Sequence, residues 1–117
     1  MDYQPYIDRL KREKAKTRQQ LAARRMRALE AAENLARMLK EDFNVERVIV
    51  FGSCLNEDYF HQRSDIDLGV KGLAADDFLR ALYEVNAIHH GFKVDLIDVD
   101  TCDDFLKRKI LTEGREL

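Results

Sequence analysis

Tryptophan is absent from the 117 residues, proline occurs once, glycine five times and cysteine twice. So little proline and glycine excludes a collagen-like or low-complexity chain. Cys54 and Cys102 are too few for a secreted disulfide framework and lack the paired spacing of a zinc site, so the expected compartment is reducing, with the cytoplasm the default. No apolar run approaches the roughly 18 to 20 residues of a membrane span. Met1 to Leu10 carries charges and Pro5 where a secretory signal needs an apolar stretch. Neither secretion nor membrane insertion is expected.

Apolar residues make up 45% of the chain and charged ones 36%, a balance that supports one compact core in a chain of single-domain length. The net charge of −2 hides an asymmetry: residues 1–27 carry +6 and the remaining residues −8. A basic arm, 1–27, therefore precedes an acidic body, 28–117.

From about Ile7 to Phe43 there is neither proline nor glycine, and Ala, Leu, Arg, Lys, Glu and Gln dominate. One long helix, or two end to end, is expected. Ala28, Ala32, Leu35, Ala36, Leu39 and Phe43 form an apolar stripe suited to packing on a sheet. In the first half Ile7, Leu10 and Leu21 stand isolated among charges, so that half is expected to be solvated or to bind something outside the domain. Val45 to Phe51 is a β-branched run ending at Gly52-Ser53 and reads as a strand. Asp65 to Val70 alternates as a second strand, and Ala74 to His90 reads as a helix stopped by Gly91, with Phe78, Leu79, Leu82, Val85 and Ile88 on one side. Phe92 to Val99 is a third strand. A last helix is expected to be capped by Thr101, to bury Phe105, Leu106, Ile110 and Leu111, and to end at Gly114. The order α-β-β-α-β-α predicts an α/β or α+β fold, a sheet covered by helices.

Asp65 and Asp67 lie two apart on the second strand, so their carboxylates share a face about 7 Å apart or less. Two anions so placed favour a cation between them, and hard oxygen ligands suit Mg²⁺. The plainer alternative makes Asp65 a turn residue and Asp67 a solvated carboxylate. Gly52 and Ser53, at the C-terminal end of the first strand, allow close backbone approach and offer a hydroxyl to a phosphate, or simply make a turn. Asp95 stands between Val94 and Leu96, where burial is costly without a cation or donors. If the third strand pairs with the second, Asp95 joins Asp65 and Asp67. Asp98 points to the other face, as a capping or surface residue. His89 and His90 fall at a helix end, and Cys54 reads as a packed side chain.

Taken in order, Val48-Ile49-Val50-Phe51-Gly52-Ser53, then Ser64-Asp65-Ile66-Asp67-Leu68, then Val94-Asp95-Leu96-Ile97 resemble the minimal nucleotidyltransferases of the DNA polymerase β superfamily, over roughly Ala28 to Leu117. The resemblance implies a polymerase β-like fold, with a small mixed sheet flanked by helices and a long basic helix at the N-terminus. It implies that Gly52, Ser53 and Ser64 bind a nucleotide. Asp65 and Asp67 would hold Mg²⁺ against its phosphates, and Asp95 would complete a second Mg²⁺ site and help take the proton of the attacking hydroxyl. ATP is the implied substrate. Small members often serve as antitoxins beside a HEPN-domain RNase toxin, and some transfer AMP to a toxin tyrosine, which makes such a toxin the implied partner.

Asn56 and Glu57 depart from the pattern, standing where the family commonly has Arg and Gly. A missing cation weakens triphosphate binding, and Glu57 with Asp58 adds repulsion; Arg63 or His61 are the available substitutes, unless each is simply an exposed loop cation. Two further readings stay open: a catalytically impaired module that binds or neutralises a partner by occlusion, and transfer to a small molecule or an RNA end. For the basic arm, docking to an acidic partner or a solvated face is favoured over nucleic acid.

Overall fold

The computed structural model describes residues 1–117. A single unbroken helix, α1, runs from Gln4 to Phe43. At about 1.5 Å per residue its 40 residues span most of the 67 Å long axis of the molecule. Pro5 sits in its first turn, where its missing N–H costs nothing. Asn44, at φ 55°, closes it by returning its N–H to the Leu39 carbonyl. The expected stripe is buried, from Ala28 to Phe43, with Leu29 and Ala31 added.

Strands β1 (Arg47–Phe51), β2 (Ile66–Lys71), β3 (Val94–Asp98) and β4 (Arg115–Glu116) form one sheet in the order β3-β2-β1-β4. The sheet is mixed: β1 is antiparallel to β2 and β4, and β2 is parallel to β3. Val48 and Val50 of β1, Ile66, Leu68 and Val70 of β2, and Val94 and Leu96 of β3 face α1 and α2 (Phe78–Ala87) in the main core. Each such aliphatic side chain contributes about 1.5–3 kcal/mol on full burial. The opposite face carries a smaller cluster of Ile49, Val99 and Ile110, built under α3 (Asp104–Glu113). Gly69 lies beneath it, and a Cβ there would stand 3.0 Å from both Ile110 and Val99.

Several local expectations are corrected. Asp103, not Thr101, caps α3, accepting from the Leu106 N–H at 2.8 Å. Thr101 and Cys102 are taken up by a turn, both donating to the Asp98 carbonyl. Phe105 and Leu111 are exposed, since Ile110 is the buried residue of α3 and Phe105 lies about 140° from it around the helix. On α2 the buried residues are Ala81 and Val85, leaving Leu79 and Ile88 exposed. That helix ends at Ala87, short of Gly91, because the His90 ring donates from Nε2 to the Val85 carbonyl and accepts the Phe92 N–H at Nδ1. Strand β4 was not expected; Gly114 permits it, since a Cβ there would meet the Ile110 carbonyl at 2.4 Å. No helix is long and apolar enough to cross a membrane.

Candidate functional site

The sheet register sets three side chains in a row. Phe51 of β1 is paired with Asp67 of β2, which is paired on its other side with Asp95 of β3. Directly paired residues share a face, and neighbouring strands lie about 4.8 Å apart. The next row on this face is Ile49, Gly69 and Ile97. Helix α3 covers that second row through Ile110, so the aspartates lie beyond the covered part of the face. Asp65 lies immediately before β2, near enough for its charge to act on Asp67.

These carboxylates influence one another. The Asp67 carboxyl is pushed from 3.8 up to about 6, first by burial, then by the charges of Asp95 and Asp65 and a hydrogen bond with Asp95, against a smaller opposing effect of Lys93. The Lys93 ammonium stands 3.9 Å from Asp95 Oδ1. No group of three or more His, Cys, Asp or Glu side chains is placed so that it could hold a metal ion. The donor chemistry nevertheless fits a divalent cation: the oxygens are hard and anionic, and their mutual repulsion is the kind a cation relieves.

Gly52 holds the turn against this row. Its φ is +77°, and a Cβ on it would fall 2.5 Å from Asp67 Oδ2, so no other residue fits without displacing the carboxylate. Gly52 opens a short 3-10 turn, Gly52–Leu55. Gly52 and Ser53 then border a cleft of about 570 Å³ whose other walls include Asn56, Tyr59, Lys109 and Glu113.

Ser64 stands apart. It is buried, and its hydroxyl accepts the His61 N–H at 2.8 Å, shaping the loop. Cys54 is fully buried and donates to the Asp65 carbonyl at 3.4 Å. Burial, and then the Asp67 charge, push its thiol up to about 11, so it is a packed group and no nucleophile. Both ring nitrogens of His90 are engaged in the loop described above. Asp98 Oδ1 accepts the Asp100 N–H at 3.0 Å.

Two supports escaped the sequence reading. The Asn86 side chain accepts the Val94 N–H at 2.8 Å and donates to the Val94 carbonyl at 2.9 Å and the Leu82 carbonyl at 3.0 Å. It fixes the start of β3, and hence Asp95, to α2. Arg24 lies 4.5 Å over the Phe92 ring and donates to the Ser64 carbonyl at 3.4 Å. Arg24, near the end of the basic segment, thus touches the site's loop. Only the polar character of Asn86 near the end of a helix signals such a role, and that is weak.

A family model for the polymerase β nucleotidyltransferases matches residues 33–117. The chain belongs to that family. It is similar to a crystal structure of a toxin–antitoxin with AMP-PNP, at 24% identity and TM-score 0.60, covering 72% of this chain and 70% of that one. It is also similar to a tri-AMPylated Shewanella oneidensis HEPN toxin in complex with an MNT antitoxin, at 17% identity and TM-score 0.58, covering 76% and 70%. A protein described as a minimal nucleotidyltransferase matches at 25% identity and TM-score 0.51, covering 86% of this nucleotidyltransferase and 95% of the other chain. No curated protein matches the sequence.

Proposed function

We propose that this nucleotidyltransferase transfers AMP from ATP to a hydroxyl of a partner protein, and that the partner is a HEPN-type toxin which the transfer neutralises. The observation that carries the reading is the row of Asp67 and Asp95 with Gly52 turned against Asp67. The similarity to toxin–antitoxin structures, one with AMP-PNP and one with an AMPylated toxin, supports the choice of nucleotide and acceptor.

In this reading Asp65, Asp67 and Asp95 hold Mg²⁺, two ions in all, which when bound supply Lewis-acid neutralisation of the phosphates. Gly52 lets the triphosphate approach the backbone, and Ser53 offers it a hydroxyl. Ser64, assigned to nucleotide binding by the resemblance, acts through the loop that its hydroxyl ties to His61. The acceptor oxygen bonds to the α-phosphorus, the bond from that phosphorus to the bridging oxygen breaks, and pyrophosphate leaves. Asp95 takes the hydroxyl proton. We place the transferase domain at residues 28–117, where the buried stripe of α1 begins, with residues 1–27 as a basic arm. The two free cysteines fit a cytoplasmic protein.

Labelled ATP with Mg²⁺ and the product of the neighbouring gene tests the reading. Label should pass to that product, and the double substitution Asp65→Asn with Asp67→Asn should abolish the transfer. Equal labelling by the double variant refutes these roles. A second reading, a fold retained for binding without catalysis, is favoured by Asn56 and Glu57; it predicts partner binding without Mg²⁺-dependent ATP binding.

A further inference from the structure

With the triphosphate placed at Gly52 and Ser53 as proposed above, we infer that Lys109 of α3, which lines the same cleft, is the cation of its β- and γ-phosphates. The inference rests on the nucleotidyl-transfer reading and names a residue outside the motifs that led to it.

The turn after Ser53 supplies no positive charge: it reads Cys54, Leu55, Asn56, Glu57, Asp58. A triphosphate held at one end by carboxylates and their metal ions needs compensation at the other end, and a lone anion in such a cleft is costly without it. Lys109 is the one cation among the residues lining the cleft that Gly52 and Ser53 border. It forms no ion pair within the chain, not even with Glu113 one turn along the same wall. The Lys-before-Glu order at that spacing is the weaker orientation on a helix, so the ammonium stays available.

Position follows from the fold. Ile110 is locked beneath α3 against Gly69, which fixes the rotation of the helix and leaves the adjacent Lys109 on the cleft side. Asp95, Asp67, Gly52 and Ser53 then lead in sequence to the cleft and to Lys109. The cleft's volume of about 570 Å³ lies within the range of small-molecule sites, about 300–1,000 Å³. A second cleft, of about 600 Å³, is lined by Arg18 and Arg25 together with Glu57 and Asp58, but it lacks Gly52 and Ser53 and so does not adjoin the aspartate row.

Calorimetric titration of the full chain with ATP and with AMP, each with Mg²⁺, tests the assignment. Lys109→Ala should weaken ATP binding about ten- to a hundredfold, the effect of losing one charge-assisted contact, while AMP affinity changes less than about twofold. Lys109→Arg should restore most of the ATP affinity. Lys107→Ala, which removes an equal charge beside Cys102, should leave both affinities unchanged. The assignment is overturned if Lys109→Ala binds ATP as tightly as the parent, or if it loses ATP and AMP equally. Absence of nucleotide binding by the parent chain itself overturns the transferase reading, and this inference with it.

Discussion

Asp67→Asn should stabilise the metal-free protein while disabling it. The Asp67 carboxyl has an ordinary value of 3.8 and is raised to about 6 in the fold. That difference sets an upper limit of about 3 kcal/mol on the cost of keeping it ionised. Asp67 is only partly buried, so solvent screening reduces the cost to about 1–2 kcal/mol. The sign follows from proton binding: between these two values the folded state holds the proton more tightly than the unfolded chain. Wild-type stability therefore falls as pH rises from about 4 to 6, with the penalty fully present above that window and absent below it. An uncharged Asn escapes the penalty. In thermal unfolding at pH 7.5, without divalent ions, Asp67→Asn should be more stable by about 1–2 kcal/mol, an increase in midpoint temperature of roughly 4–8 °C. At pH 3.5 the difference should vanish. Equal stability at pH 7.5, or a gain that persists unchanged at pH 3.5, would show that Asp67 carries no repulsion and refute the reasoning.

The remaining expectations concern the supports of the site. Asn86→Ala strips three hydrogen bonds from the junction of α2 and β3 and should cost about 2–4 kcal/mol in chemical denaturation, with nucleotide transfer falling because Asp95 loses its anchor. Ile110→Ala opens a cavity over Gly69 and should destabilise by about 2–5 kcal/mol, read as a lower urea midpoint. Gly52→Ala, forced to a positive φ with its methyl against Asp67, should lose most transfer activity while circular dichroism stays near the parent's. Asp103→Ala removes the α3 cap and should cost about 1 kcal/mol in thermal unfolding.

Much of the site is local in origin, which is why the sequence displays it. The two-residue spacing of Asp65 and Asp67 keeps their charges close enough to interact, and the β-branched run of β1 marks where Gly52 and Ser53 must turn. Asp95 required one more inference, that β3 lies beside β2, and the pairing is in register as well as parallel. The buried stripe of α1 was legible from a period matched to one element. Other features depend on what folds against them. Whether Asp103 or Thr101 caps α3 is decided by a turn that takes both Thr101 and Cys102 to the Asp98 carbonyl. The exposure of Leu79 and Phe105 follows from how little of α2 and α3 the sheet reaches. Arg24 reads as part of a solvated arm until Phe92, far along the chain, is placed beneath it. Strand β4 is two residues long and owes its existence to the edge of β1, where Leu117 donates to the Val48 carbonyl at 2.9 Å and Arg47 pairs with Glu116. No local pattern encodes such a strand.

The proposal that Asp65, Asp67 and Asp95 hold divalent ions is tested most directly by anomalous scattering from crystals grown with Mn²⁺ and a non-hydrolysable ATP analogue. The account predicts manganese peaks bounded by these three carboxylates, with the analogue's phosphates leading past Ser53. Manganese bound elsewhere, or an analogue ordered without any peak among the three, would contradict it.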